Sequence, residues 1–108
     1  MERIIQGIET GIGDKLIFDS MSGRFFYSDP EKIKLAIDEL KANRFITWSI
    51  LTLNDIYDAL RIPTIYAGDS IIWKEDAVRD INVSFYQATD PISQFIPYQY
   101  MQITVPDA

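Results

Sequence analysis

The chain has 108 residues and a formal net charge of −6, with 47% hydrophobic and 13% aromatic content. That length supports one domain able to fold alone, and the aromatic share argues against disorder. Cysteine and histidine are both absent, which excludes disulfides, thiolate chemistry, the commonest zinc ligand and the usual base near neutral pH, while the acidity disfavours nucleic acid as a partner.

The N-terminal segment, Ile4 to Ile12, sets Gly7 and Gly11 among isoleucines, with Gly13 just beyond. Each interior glycine costs a helix about 1 kcal/mol relative to alanine. Residues 1–14 therefore read as an arm, either flexible or strand-forming, that turns at Gly11–Asp14. Lys15-Leu16-Ile17-Phe18 reads as a strand and Arg24-Phe25-Phe26-Tyr27 as its return, with Gly23 supplying the turn.

Ser28-Asp29-Pro30-Glu31 is a helix start, with Ser28 as N-cap and Glu31 closing a capping box. Ile33, Ala36, Ile37 and Leu40 then recur at the spacing of one apolar helical stripe. Lys32, Lys34, Asp38, Glu39 and Lys41 form the wet face, and the helix is expected to end near Asn43. Phe45 to Leu51 follows as an apolar connector containing Trp48. A second capping box, Thr52 to Asp55, opens a shorter helix whose stripe is Leu53, Ile56, Tyr57 and Leu60, and Pro63 stops it. Gly68-Asp69-Ser70 turns the chain into Ile71-Ile72-Trp73.

The remainder reads as β-structure. Ile81, Val83 and Phe85 alternate with Asn82, Ser84 and Tyr86, the period of a half-buried strand. Thr89-Asp90-Pro91 turns, and Tyr98 to Val105 is expected to return antiparallel. No segment reaches the roughly 18 apolar residues that span a bilayer. Glu2 and Arg3 open a terminus without the long apolar run of a signal peptide.

Tests for catalytic chemistry return little. The glycines at 7, 11 and 13 lack the Gly-Lys-Ser/Thr that closes a phosphate loop. Asp55, Asp58, Asp69, Glu75, Asp76 and Asp80 do not match the spacing of a calcium loop and are better explained as cap, turn and solvated residues. Ser20 and Ser22 have no histidine to activate them, and no carboxylate pair stands apart from the acidic background. The aromatics, two Trp, six Tyr and six Phe, are more than strand alternation can bury. Tyr86, Tyr98 and Tyr100 are therefore candidates for an exposed sheet face, where tyrosine favours protein interfaces.

Several of these pieces together resemble the soluble domain of an uncharacterised family of phage, prophage and mobile-element proteins. They are Asp19-x-x-Ser22-Gly23-Arg24 followed by Phe25-Phe26, Ser28-Asp29, Leu53-Asn54-Asp55-Ile56-Tyr57, and Gly68-Asp69 with Trp73. The resemblance covers about residues 4 to 86. The chain departs from the family pattern at Arg61 and Ile72, where the pattern has glycine. The resemblance implies a phage or mobile-element origin and host cytoplasm as the setting. Longer relatives carry an apolar N-terminal region, which alternatively implies the soluble part of a membrane-associated protein. It implies no activity and no catalytic residue.

The expectation is a single α+β domain over residues 1–108. An N-terminal β-hairpin, two helices and a C-terminal antiparallel hairpin form one sheet, with the helices packed on one face. Phe18, Phe26, Ile33, Ile37, Leu40, Leu53, Ile56, Leu60, Trp73, Val83 and Phe85 are expected to be buried together. The expected function is non-enzymatic protein–protein interaction, with self or a host protein as partner and no cofactor, metal, nucleic acid or membrane for this chain alone. Inhibition of a host defence system through the acidic surface is the alternative, and a metal-dependent hydrolase the less favoured one. The expected interface is Phe95, Tyr98, Tyr100 and Met101 on the C-terminal hairpin, whose last strand reads as a sheet edge, the alternative being that the hairpin simply completes the sheet.

Overall fold

Strand pairing joins the two ends of this chain. The computed structural model describes residues 9–10, 13–47 and 50–104. Strands β2 (Lys15–Asp19) and β3 (Arg24–Ser28) form the first hairpin, and β6 (Val83–Gln87) and β7 (Gln99–Ile103) pair antiparallel. The two pairs meet where β2 runs parallel to β7, with Phe18 opposite Tyr100. A two-residue strand, β1 (Glu9–Thr10), lies parallel to β3, so the sheet order is β1-β3-β2-β7-β6. The arm is thus strand-forming at residues 9–10; residues 1–8 and the turn position at 11–12 lie outside the described residues.

Between the hairpins lie helices α1 (Pro30–Thr47) and α2 (Leu53–Ala59), preceding a single helical turn, α3 (Glu75–Val78). Strands β4 (Leu51–Thr52) and β5 (Ile72–Trp73) form a separate antiparallel ribbon beside them. None of the described helices is long and apolar enough to cross a membrane. The architecture is the expected α+β arrangement of two hairpins in one mixed sheet.

The helix ends differ in detail from the sequence reading. α1 is capped by Asp29, whose Oδ1 accepts from the Glu31 N–H at 2.9 Å, and Pro30 takes the first helical position. Ser28 cannot serve as N-cap because it is still paired with Lys15 in β3 and fully buried. The same helix runs to Thr47 rather than ending near Asn43, so Phe45–Thr47 is helical; Trp48 lies outside the described residues. The Thr52–Asp55 capping box forms as read: Thr52 Oγ1 accepts from Asp55 N–H at 3.1 Å, and Asp55 accepts from Thr52 N–H at 2.9 Å.

α2 ends before Pro63 is reached. Ile62 N–H bonds to Tyr57 O and Arg61 N–H to Asp58 O, both at 3.1 Å, the paired bonds of a Schellman ending. That ending places Arg61 at φ 61°, the left-handed conformation that glycine usually supplies at this position of a helix end.

Period-2 alternation divides the sheet between two cores. Ile17, Phe26, Val83, Met101 and Ile103 face the helices and pack with Ile33, Ile37, Leu53, Ile56, Tyr57, Leu60 and Trp73. Each such side chain contributes about 1.5–3 kcal/mol of burial. Leu40 and Phe85 border this core half-buried. Phe18 does not join it. As the neighbour of Ile17 in an extended strand it points to the opposite face, where it packs with Phe25, Tyr98 and Tyr100.

The final strand is not an edge. β7 is held between β2 and β6, and Ser20 reinforces that position by donating from N–H and Oγ to Met101 O, at 3.2 and 3.0 Å. The parallel β2–β7 pairing, invisible to local pattern, makes the chain's last described strand an interior one.

Candidate functional site

The motif residues assemble into two polar clips, each built around one buried side chain, Asp19 or Asn54. In the first, the fully buried Asp19 accepts from the amides of Met21 and Ser22 at 3.2 Å each and from Ser22 Oγ at 2.7 Å. The Tyr57 hydroxyl, from α2, donates to the same carboxylate. Arg24 Nε donates to Ser22 Oγ at 3.0 Å, its other end donates to Pro63 O, and its guanidinium lies 4.8 Å from the centre of the Tyr57 ring. Burial raises the pKa of the Tyr57 hydroxyl. The hydrogen bond to Asp19 and its charge raise it further, opposed by Ser22 and Arg24. The tyrosine therefore stays a neutral donor at physiological pH.

The second clip is centred on Asn54 of α2. Its Nδ2 donates to Ile65 O at 2.9 Å and to Asp69 Oδ1 at 3.1 Å, and its Oδ1 accepts from Ile65 N–H at 2.9 Å. Gly68 lies against it so closely that an added Cβ would stand 2.0 Å from Asn54 Oδ1. Both clips satisfy buried polar groups and pin the Ile62–Asp69 loop to α2 and to the first hairpin. Their polar atoms bond to one another.

Other chemical candidates do not converge. Among the described residues no three acidic side chains are placed to share a metal ion. Asp55 is engaged in its capping box and Asp69 in the Asn54 clip. Ser22 is held by Asp19 and Arg24.

The open chemistry lies on the aromatic face of the sheet. Phe18, Phe25, Tyr98 and Tyr100 close a ring of edge-to-face contacts, with centroids 4.9 to 5.5 Å apart. Each such pair contributes about 0.5–1.5 kcal/mol beyond its buried area. The Tyr98 hydroxyl donates to Asp90 and lies 3.3 Å from the Tyr100 hydroxyl. The bond to Asp90 is the main cause raising the Tyr98 pKa, and the same bond holds the Asp90 carboxyl below its ordinary range. This bond ties the β6–β7 connection down over the face.

At one end of that connection opens a pocket of about 310 Å³. Leu16, Tyr27, Ile96, Pro97 and Tyr98 give it an apolar lining, while Lys15, Gln87 and Gln99 bring polar atoms. Phe95 also lines it yet is 85% exposed, and Ile92, one helical turn earlier, is exposed as well.

The four residues expected at an interface are thus placed very differently. Phe95 is the exposed one. Tyr100 is half-buried, Tyr98 is only 4% exposed within the aromatic ring, and Met101 is wholly buried in the helix-facing core. Met101 and Tyr100 point to opposite faces because they are consecutive in a strand. Of the three tyrosines considered for an exposed face, Tyr86 is the one found there, at 55% exposure. The pocket residues Leu16, Tyr27 and Gln87 carried no local signal, since they come from three strands that only the sheet brings together.

The comparisons with known proteins supply a family but no function. No curated protein and no solved structure matches this chain. A family model described as a family of unknown function, DUF6353, matches residues 2–107, and with nearly its whole length covered the chain belongs to that family.

Proposed function

We propose that this domain is a non-enzymatic protein-interaction module, encoded by a phage or other mobile element and acting in the host cell, that receives a large apolar side chain of a partner protein at the Phe95 pocket. The pocket's place beside an exposed apolar patch carries the reading. Small-molecule sites bury most of their ligand, and such a ligand in this pocket would leave Phe95 and Ile92 in water. A protein surface would fill the pocket and cover both. Composition supports a binding role over catalysis, since no histidine or cysteine is present. The mobile-element origin rests on the motif resemblance, and the genes flanking this one test it.

Selection of a displayed random-peptide library on the immobilised domain tests the binding site. Enriched sequences should share a large apolar or aromatic residue. Their binding should be lost on Phe95→Asp, a substitution at an exposed position that leaves the core intact. Enriched peptides that bind Phe95→Asp as tightly as the wild type, or no enrichment at all, would remove the pocket as the docking site.

A further inference from the structure

The opposite border of the sheet from β1 is β6, and no described residue pairs with its outer side. Two hydrogen bonds show which of its backbone groups are free. Ala88 N–H bonds to Tyr98 O at 3.0 Å, and Thr104 N–H bonds to Asn82 O at 2.9 Å. Inward-bonding residues alternate along an antiparallel ladder. Asn82, Ser84, Tyr86 and Ala88 therefore bond toward β7, and Val83, Phe85 and Gln87 turn their N–H and C=O groups outward.

The strand itself carries none of the usual protections. Edge strands are normally blunted by charge, proline or a bulge. Residues 81 to 89 contain no charged residue and no proline, and the register from Val83–Ile103 to Gln87–Gln99 is unbroken. Tyr86 adds a ring more than half exposed beside that border.

We infer that β6 pairs antiparallel with β6 of a second copy of this chain, about a two-fold axis at Phe85. The pattern of free groups is symmetric about that residue. Phe85 then faces its own copy, and Val83 faces Gln87 of the other chain at both ends. Each of these three pairs can exchange two backbone hydrogen bonds, so every outward group is satisfied. An isologous contact needs this kind of self-complementarity. β6 itself brings no charge to the seam of a chain of net charge −6, and the Lys34 ammonium of α1 lies beside it, 5.7 Å from the centre of the Phe85 ring. On the aromatic face the pairing sets Tyr86 across from Ser84 of the second copy, covering part of its exposed ring. The two sheets become one continuous sheet, with the pockets toward opposite ends of the seam. This surface shares only Gln87 with the pocket proposed above, so either assignment can fail without the other.

Sedimentation equilibrium of the full chain, from micromolar to millimolar loading, tests the inference together with amide hydrogen exchange. A monomer–dimer equilibrium is expected. The amides of Val83, Phe85 and Gln87 should gain protection with concentration, whereas those of Ser84 and Tyr86 should be protected throughout. Ser84→Lys and Gln87→Pro should each weaken association at least tenfold. The first sets a lysine opposite Tyr86 of the other copy and diagonal to its own counterpart, so that like charges meet across the seam, and the second removes one outward donor while sparing the β6–β7 ladder. A monomer at every concentration overturns the inference. So does a dimer whose Val83, Phe85 and Gln87 amides exchange freely, or one that survives Ser84→Lys in a folded protein.

Discussion

The hydroxyl of Tyr57 donates a hydrogen bond to the carboxylate of Asp19, 38 positions earlier in the chain. The bond joins the first hairpin to α2, and both partners are fully buried. Tyr57→Phe keeps the ring against Arg24 and removes only this donor. A hydrogen bond to a charged group contributes about 1.5–3 kcal/mol, and a loss of that size is expected in urea unfolding. A change near zero would show that the other donors to Asp19 suffice.

The same substitution has a pH signature. The Tyr57 pKa is raised in the folded state, by burial first and then by Asp19. The unfolded phenol ionises near pH 10 while the folded one does not. Stability from this group is thus complete below about pH 10 and declines as pH rises toward the folded value. Wild type should lose stability between about pH 9 and 11 more steeply than Tyr57→Phe, as followed by circular dichroism.

In the second clip, Gly68→Ala should destabilise by about 1–3 kcal/mol, because Asn54 is tied to Ile65 and Asp69 and cannot easily yield to a new Cβ. Asn54→Ala should also destabilise, by about 1–3 kcal/mol, through the polar groups it leaves unpaired. The double variant should cost less than the two single changes added together, since Asn54→Ala removes the atoms with which the new Cβ at position 68 collides. Simple additivity in a double-mutant cycle would contradict that contact.

Arg61 offers the reverse sign. Its φ of 61° costs a residue with a side chain roughly 1–2 kcal/mol, against a smaller entropic cost for glycine. Arg61→Gly is expected to stabilise the protein by about 0.5–1 kcal/mol, raising the urea midpoint without altering the slope.

On the aromatic face, Asp90 has its carboxyl held low, chiefly by the Tyr98 hydroxyl. A carboxylate depressed in the folded state stabilises above its unfolded pKa, and that contribution is lost as pH falls through the folded value. Tyr98→Phe should therefore be less stable than wild type at pH 7, with the gap narrowing as pH falls below the unfolded carboxyl's value of about 4. A gap independent of pH would mean that Tyr98 acts through packing alone.

Much of the fold was legible because its determinants are local. Helical stripes at Ile33–Leu40 and Leu53–Leu60, the alternation from Ile81 to Tyr86, and the Thr52–Asp55 box each operate within one or two turns of chain. Ile56, read into the core from its stripe, is fully buried, and Ile56→Ala should cost about 2–5 kcal/mol. Leu40, at the end of the other stripe, is only half-buried and should cost less when truncated. The motifs were legible as residues but not as a mechanism: nothing local says that Asp19 meets Tyr57 or that Asn54 meets Gly68.

The sequence by itself determined the α+β class, the order of the elements, the capping chemistry of α2 and the absence of histidine and cysteine chemistry. Only the tertiary structure decided which strand is an edge and which aromatics are exposed. Both depend on β2 lying parallel to β7, a contact between residues some 80 positions apart, as in the Ser20–Met101 bond. That pairing buries Met101 and moves the open edge to β6. It also brings Leu16, Tyr27 and Gln99 together around one pocket. Periodicity assigns a side chain to a face, but the neighbour on each side of a strand is chosen by long-range packing, and no local pattern carries it.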